Sequence, residues 1–123
     1  MNLVDSSGWL EYLADESNAG FFAPAIENLQ DLLVSTVNIY EVFKRILAQR
    51  DESAALQAVA LMQQGAVVEV TSSIAMAAAT FSHEHKLPMA DSLIFITARE
   101  HQATLWTQDA DFQDLPRVKY VKK

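Results

Sequence analysis

A chain of 123 residues with 16 Asp+Glu against 9 Lys+Arg carries a formal charge of −7, is half apolar and contains no cysteine. At this length a single domain, residues 1–123, is expected, and folding buries roughly two-thirds of the unfolded surface, so no disulfide or metal staple is required. The missing cysteine excludes disulfide frameworks, thiolate zinc sites, iron–sulfur centres and thiol nucleophiles together.

The longest strictly apolar run, Ile74 to Ala79, has six residues, far short of the ~20 that a membrane span needs. Met1 to Asp5 has neither the basic nor the apolar region of a secretory signal, so the chain as written is expected to be the mature, cytoplasmic product with no membrane association. From Met1 to Phe43 there are seven acids and no Lys or Arg, and from Lys44 onward nine acids balance nine bases. A sequence-independent duplex binder shows a basic stripe, and this chain shows none.

Periodicity orders the elements. Asn2-Leu3-Val4 reads as a strand ended by the turn and helix-start signal Asp5-Ser6-Ser7-Gly8, and a short helix follows through Trp9, Tyr12 and Leu13. Phe21, Phe22, Ile26 and Leu29 recur at helical spacing, with Pro24 tolerable near a first turn. Leu32 to Val34 is a second strand, and Ser35 or Thr36 can cap the next helix, whose stripe is Ile39, Phe43, Ile46 and Leu47. A helix over about Glu52 to Gln64 burying Leu56, Val59 and Met62 completes a helical hairpin, ended by Gly65. Ala66 to Val70 is a third strand, Ser73 to His85 an Ala-rich helix with Met76 as core filling, and Met89 to His101 another helix. Thr104 to Trp106 and Val118 to Val121 are the last strands. The alternation predicts an α/β fold with a mostly parallel central sheet of about five strands. In such folds ligands collect outside the carboxyl ends of the strands.

Acids fall at that edge. Asp5 directly follows the first strand and Asp109 the fourth, although an N-cap or Asx-turn accounts for either one alone. Asp91 sits in the first turn of the helix opened by Pro88, where the helix dipole contributes ~0.3–1 kcal/mol. Yet Ile94 and Phe95 share its face, so the carboxylate points with a core stripe, and no Lys or Arg lies between Met89 and Ala98 to neutralise it. Glu41, early in the helix after the second strand, makes a fourth, with a surface ion pair to Lys44 or Arg45 as the plainer account. Four converging carboxylates require protonation or a divalent cation, and all-oxygen donors select Mg²⁺ or Mn²⁺ over zinc. His83 and His85 stand about 200° apart on their helix and do not easily share an ion, and His101 reads as a helix C-terminal residue. Three glycines are too few for a phosphate-cradling loop, and no Gly-x-Ser-x-Gly elbow is present.

Taken together, Asp5-Ser6, Glu41, Met89-Ala90-Asp91-Ser92-Leu93-Ile94 and Thr107-x-Asp109-x-Asp111-Phe112 resemble the PIN-domain family, and more narrowly the VapC-type toxins of prokaryotic toxin–antitoxin pairs. The resemblance runs from Asn2 to about Val121, helical hairpin included. It implies a Rossmann-like, PIN-like three-layer α/β/α fold and a Mg²⁺-dependent endoribonuclease, with Mn²⁺ as a substitute. Asp5, Glu41, Asp91 and Asp109 are the implied acidic quartet, Ser6 and Thr107 support them by hydrogen bonds, and Asp111 is secondary. Ser6 in place of the usual Thr and Met89 opening the Asp91 segment are mild departures. The implied products are a 5′-phosphate and a 3′-hydroxyl. The expected substrate is RNA, read through single-stranded or looped segments rather than a basic groove. The implied partners are a cognate antitoxin with a basic tail and a second copy in a homodimer, to which Trp9, Phe21 and Phe22 contribute unless they are core.

A receiver-type phosphoacceptor wants paired acids after the first strand, where Ser6-Ser7 stands. A haloacid-dehalogenase-type phosphatase wants an acid two places after Asp5, at Ser7. The remaining alternative is a non-catalytic acidic module that docks a basic partner, which the net charge favours.

Overall fold

The computed structural model describes all residues from Met1 to Lys123. Its order is β1 (Asn2–Val4), α1 (Ser6–Leu13), α2 (Ala19–Glu27), β2 (Leu32–Ser35), α3 (Thr36–Gln49), α4 (Glu52–Met62), β3 (Ala66–Val68), α5 (Ser72–His85), α6 (Met89–Glu100), β4 (Thr104–Thr107) and β5 (Val118–Tyr120), with short 3₁₀ turns at Leu29–Asp31 and Ala110–Phe112. The five strands form one parallel sheet in the order β3-β2-β1-β4-β5. The expected PIN-like α/β architecture is therefore present, and its sheet is wholly parallel.

Side chains alternate across the strands and divide the core in two. Leu3, Leu33 and Leu105 pack on one face with Ile74, Phe81, Ile94 and Phe95 of α5 and α6. Val4, Leu32, Val34 and Trp106 pack on the other with Trp9, Phe22, Val42 and Met62. Helices thus cover both faces, as a parallel sheet requires. Gly8 lets α1 and α2 meet: a Cβ there would lie 2.5 Å from the Phe22 ring and 2.8 Å from Val4.

Several faces differ from the periodic expectation. In the α3–α4 hairpin the buried apolar residues are Val42, Ala55, Ala58 and Met62, while Leu47 is 44% and Leu56 54% exposed. α4 is apolar nearly all round, so its face is chosen by which side chains let two helices approach, and alanines do so best. For the same reason Ala78, with Ile74, is buried in α5 and Met76 is 67% exposed rather than core filling. Pro24 sits inside α2, not near its first turn, and the Gly20 carbonyl that it leaves without an intrahelical donor belongs to an exposed residue. Leu29 lies in a 3₁₀ turn beyond α2 and is exposed. Trp9 and Phe22 are fully buried and Phe21 packs against Phe22 and Trp106, so these aromatics are core and not a self-association surface.

No helix is long and apolar enough to cross a membrane. The chain leaves β1 toward β2 and β3 on one side, then returns to β4 and β5 on the other. The crevice where the order reverses lies between the carboxyl ends of β1 and β4.

Candidate functional site

Asp5 leaves β1 and Asp109 leaves the segment after β4, so both border that crevice, and the Asp5 N–H donates to the Trp106 carbonyl at 2.9 Å to lock the two strand ends together. Asp5 precedes α1 in the N-cap position yet makes no side-chain cap bond. Its Oδ2 instead accepts from Thr107 Oγ1 and from Ser7 Oγ, each at 2.8 Å. Only 4% of Asp5 is exposed, and burial pushes its carboxyl above the usual range despite those two hydrogen bonds. Nearby Asp109 adds to the rise.

Glu41 is placed by the second strand–helix junction. Ser35 caps α3 by accepting from Val37 N–H, and Asn38 Oδ1 accepts from the Ser35 N–H at 3.2 Å, a capping box that fixes the Asn38 side chain. Asn38 Nδ2 then donates to Ser6 Oγ at 2.9 Å, and Ser6 Oγ donates to Glu41 Oε1 at 2.7 Å. The amide donor occupies a lone pair of the hydroxyl and leaves its proton for the carboxylate, so the chain of bonds has one direction. Glu41 is thus held by α1, and the plainer surface role along its own helix does not describe it.

Asp91 arrives from the opposite face of the sheet. α5 ends at Lys86 in the left-handed region, φ 58°, and the Ser82 and Ser92 hydroxyls both donate to the Leu87 carbonyl, at 2.6 and 3.2 Å. That knot sets where α6 begins, and Asp91 lies in its first turn with Ile94 and Phe95 buried below. The carboxyl of Asp91 is pushed up to about 7, first by burial and then by the charges of Asp5, Asp109, Glu41 and Asp111. Every charged neighbour that moves it is an acid. A carboxylate facing inward among acids, as the sequence spacing predicts, is what the fold builds.

The oxygens of Asp91, Asp109 and Asp111 lie within 4.8 Å of one another. Asp109 Oδ1 accepts from the Asp111 N–H at 2.9 Å, the Asx-turn expected of it, which leaves its second oxygen free. Thr107 Oγ1 accepts from the Asp109 N–H at 2.9 Å while donating to Asp5, so one hydroxyl ties two of the acids together. Three oxygen donors at this spacing suit a hard divalent cation such as Mg²⁺ or Mn²⁺. Asp111, secondary by sequence, stands in the tightest group, whereas Asp5 and Glu41 lie outside it and act on Asp91 through their charge.

Asp5, Glu41, Asp91 and Asp109, together with Glu11 and Glu16 but not Asp111, line a groove of about 980 Å³ between α1 and the α3–α4 hairpin. Four of the nine cations, Lys44, Arg45, Arg50 and Lys123, line it as well. Six acids, Glu11 and Glu16 among them, outnumber these cations along the lining, so the groove is not a basic one, and three of its four cations come from the short stretch Lys44 to Arg50. Gln108, 4% exposed, was also without a sequence signal. Its amide donates to Glu11 and accepts from Asn18, which in turn donates to the Lys122 carbonyl and fastens the C-terminus beside the site. Asn38 had a faint one, its place three residues after a capping serine. His83 and His85 are exposed on α5, with His85 stacked on Phe81 at 4.2 Å, and His101 follows α6 as expected.

Solved structures share this architecture. A toxin–antitoxin complex from Klebsiella pneumoniae superposes with a TM-score of 0.81 at 20% identity, over 97% of this chain and 96% of the other. Mycobacterium tuberculosis VapC20, described as a Sarcin-Ricin loop cleaving toxin, gives 0.80 at 18% identity over 94% and 95%. A DNA-bound VapBC from Salmonella typhimurium gives 0.75 at 12% identity over 99% and 98%. At these identities the likeness concerns the fold. A comparison with curated proteins by sequence gives no match. The sequence pattern of the PIN domain, however, matches residues 3–118, nearly the whole chain and every acid described above, and the chain belongs to the PIN domain family.

Proposed function

We propose that the chain is a divalent-cation-dependent endoribonuclease of the VapC toxin type, acting in the cytoplasm on RNA. The observation that carries the reading is the isolation of Asp91, a half-buried carboxyl raised to about 7 whose charged neighbours are all acids. Burial and like charge hold that carboxyl partly protonated near neutral pH, and a cation beside it would favour the charged form. Asp91, Asp109 and Asp111 would hold Mg²⁺ or Mn²⁺, with Asp5 and Glu41 as further ligands or orienting groups. The bound cation supplies Lewis acidity, activating water as a nucleophile and offsetting the charge that builds on the phosphate. Asp5 is fixed against rotation by Thr107 and Ser7, and Glu41 by Ser6, so neither needs to reorganise as the reaction proceeds. A cation held there would favour the charged Asp91 carboxyl, so binding near neutral pH would be coupled to partial proton release. The expected products are a 5′-phosphate and a 3′-hydroxyl.

Similarity to VapBC assemblies supports a cognate antitoxin as partner; a basic tail on it would match the acidic floor of the groove, and a homodimer is the working state proposed with it. A non-catalytic acidic module remains the competing reading, and one experiment separates the two. Purified protein with Mn²⁺ or Mg²⁺ should cleave single-stranded RNA, and saturating ion at ~100 times its dissociation constant should raise stability by about 2.7 kcal/mol. Both effects should disappear in Asp5→Asn. Intact RNA in the presence of Mn²⁺, together with tight binding of a basic peptide, would establish the module instead.

A further inference from the structure

The groove holds one large aromatic side chain that the acidic centre does not use. Tyr40 is 64% exposed, lines the groove immediately before Glu41, and makes no contribution to either core cluster. On α3 only Asn38 and Val42 are buried, so Tyr40 belongs to the open side of the helix and its ring is available to the groove. Six acids and four cations line the groove, and three of those cations follow Tyr40 along α3 and its C-cap. The Lys44 ammonium stands 5.7 Å from the Tyr40 ring centroid, and Arg45 and Arg50 continue along the same helix to its C-terminal end. From Glu41 to Arg50 the helix rises about 13 Å, the length of about four stacked nucleotides at ~3.4 Å each. Lys123 lines the groove from the C-terminus.

We propose that Tyr40 is a stacking platform for one unpaired nucleobase next to the acidic centre, with Lys44, Arg45 and Arg50 receiving the phosphates that follow along α3. The proposal rests on the ribonuclease reading and adds to it a site for a single-stranded segment. An aromatic face takes any base, and cations beside it take the charge that every nucleotide carries, which is how single strands are held without a continuous basic surface. A duplex, whose bases are already stacked, cannot use the ring. A basic polypeptide fits the acidic floor of the groove but gains nothing from three cations on its wall, so the wall favours RNA.

The test measures binding of a fluorescein-labelled 12-nucleotide single-stranded RNA without divalent cation, so that no cleavage intervenes. Tyr40→Ala should weaken binding roughly ten-fold, within what one stacked base contributes, and Tyr40→Trp should restore it. Binding of the same sequence as duplex should be weaker in the wild type and unaffected by Tyr40→Ala. Removing all three α3 cations should flatten the salt dependence of single-strand binding. Unchanged single-strand affinity in Tyr40→Ala, with the wild type still cleaving RNA in Mn²⁺, would overturn the platform and leave the nuclease standing, with the wall assigned to a polypeptide. Loss of cleavage in the wild type with Tyr40-dependent binding intact would leave the platform and overturn the nuclease.

Discussion

The two halves of the acidic site are built on opposite principles. Asp5 is clamped by the Thr107 and Ser7 hydroxyls, and Glu41 by the Ser6 hydroxyl, which the buried Asn38 amide orients. Asp91, Asp109 and Asp111 crowd together with their oxygens within 4.8 Å, and the principal neighbours of Asp91 are other negative charges. One half is held by hydroxyl donors within the protein, and the other carries burial and like-charge repulsion with no such donor to Asp91. The contrast teaches that substitutions in the two halves should change stability in opposite directions even where both abolish activity.

The largest expected effect is on turnover. Asp5→Asn removes a charge at the crevice while keeping an acceptor for Thr107 or Ser7, so it should reduce Mn²⁺-dependent RNA cleavage by roughly 10²–10³-fold, the scale of losing several kcal/mol of charge stabilisation. Single-turnover cleavage rates check this, and a loss below five-fold would show that the clamped half is not part of the chemistry.

Ser6→Ala breaks the clamped half at its centre. Asn38, with no exposed surface, is left with a buried amide donor lacking its acceptor, and Glu41 loses its donor. Stability should fall by about 1–3 kcal/mol, read as a shift of the urea midpoint, with cleavage reduced as well. Ser6→Thr keeps the hydroxyl and should retain both.

The crowded half should behave in the opposite sense. In the folded protein the Asp91 carboxyl keeps its proton up to about 7, while in the unfolded chain it loses it near 3.8. Between those values the folded state binds the extra proton, so the stability of the metal-free protein should decrease as pH rises through this window and level off above it. Asp5, raised in the same direction, adds to the slope. Asp91→Asn should flatten the profile and make the metal-free protein more stable than the wild type at pH 8, measured by thermal unfolding in a chelator. A wild-type stability that rises from pH 5 to pH 8 would contradict the account of repulsion.

How much of this was legible in the sequence follows from how local each signal is. Asp5 and Asp109 are placed by the strands they follow, and Asp91 by a helix start at Pro88 and the missing cation beside it, so these positions could be read from a few neighbouring residues. The Asn38–Ser6–Glu41 chain joins residues 32 and 35 positions apart, and Gln108 meets Glu11 across 97. No pattern in the sequence carries such pairings, because the first exists only once β1 lies beside β2 and the second only once β1 lies beside β4. The faces of α4 and α5 failed for another reason. Segments such as Ile74-Ala75-Met76-Ala77-Ala78-Ala79 are apolar all round, so periodicity holds no information about which side is buried, and helix packing decides. The cationic wall was missed because Lys44 and Arg50 look like ordinary helix-surface charges until the α1 side of the groove closes over against them.

The most direct test of the central claim is a calorimetric titration of Mn²⁺ into the wild type, Asp91→Asn, and a variant with both His83 and His85 replaced by alanine. The account predicts binding in the wild type and the histidine variant with the same dissociation constant, accompanied by proton release at pH 7, and its loss in Asp91→Asn. Undiminished binding in Asp91→Asn, or its loss in the histidine variant alone, would place the cation elsewhere and contradict a site built from the acids at the crevice.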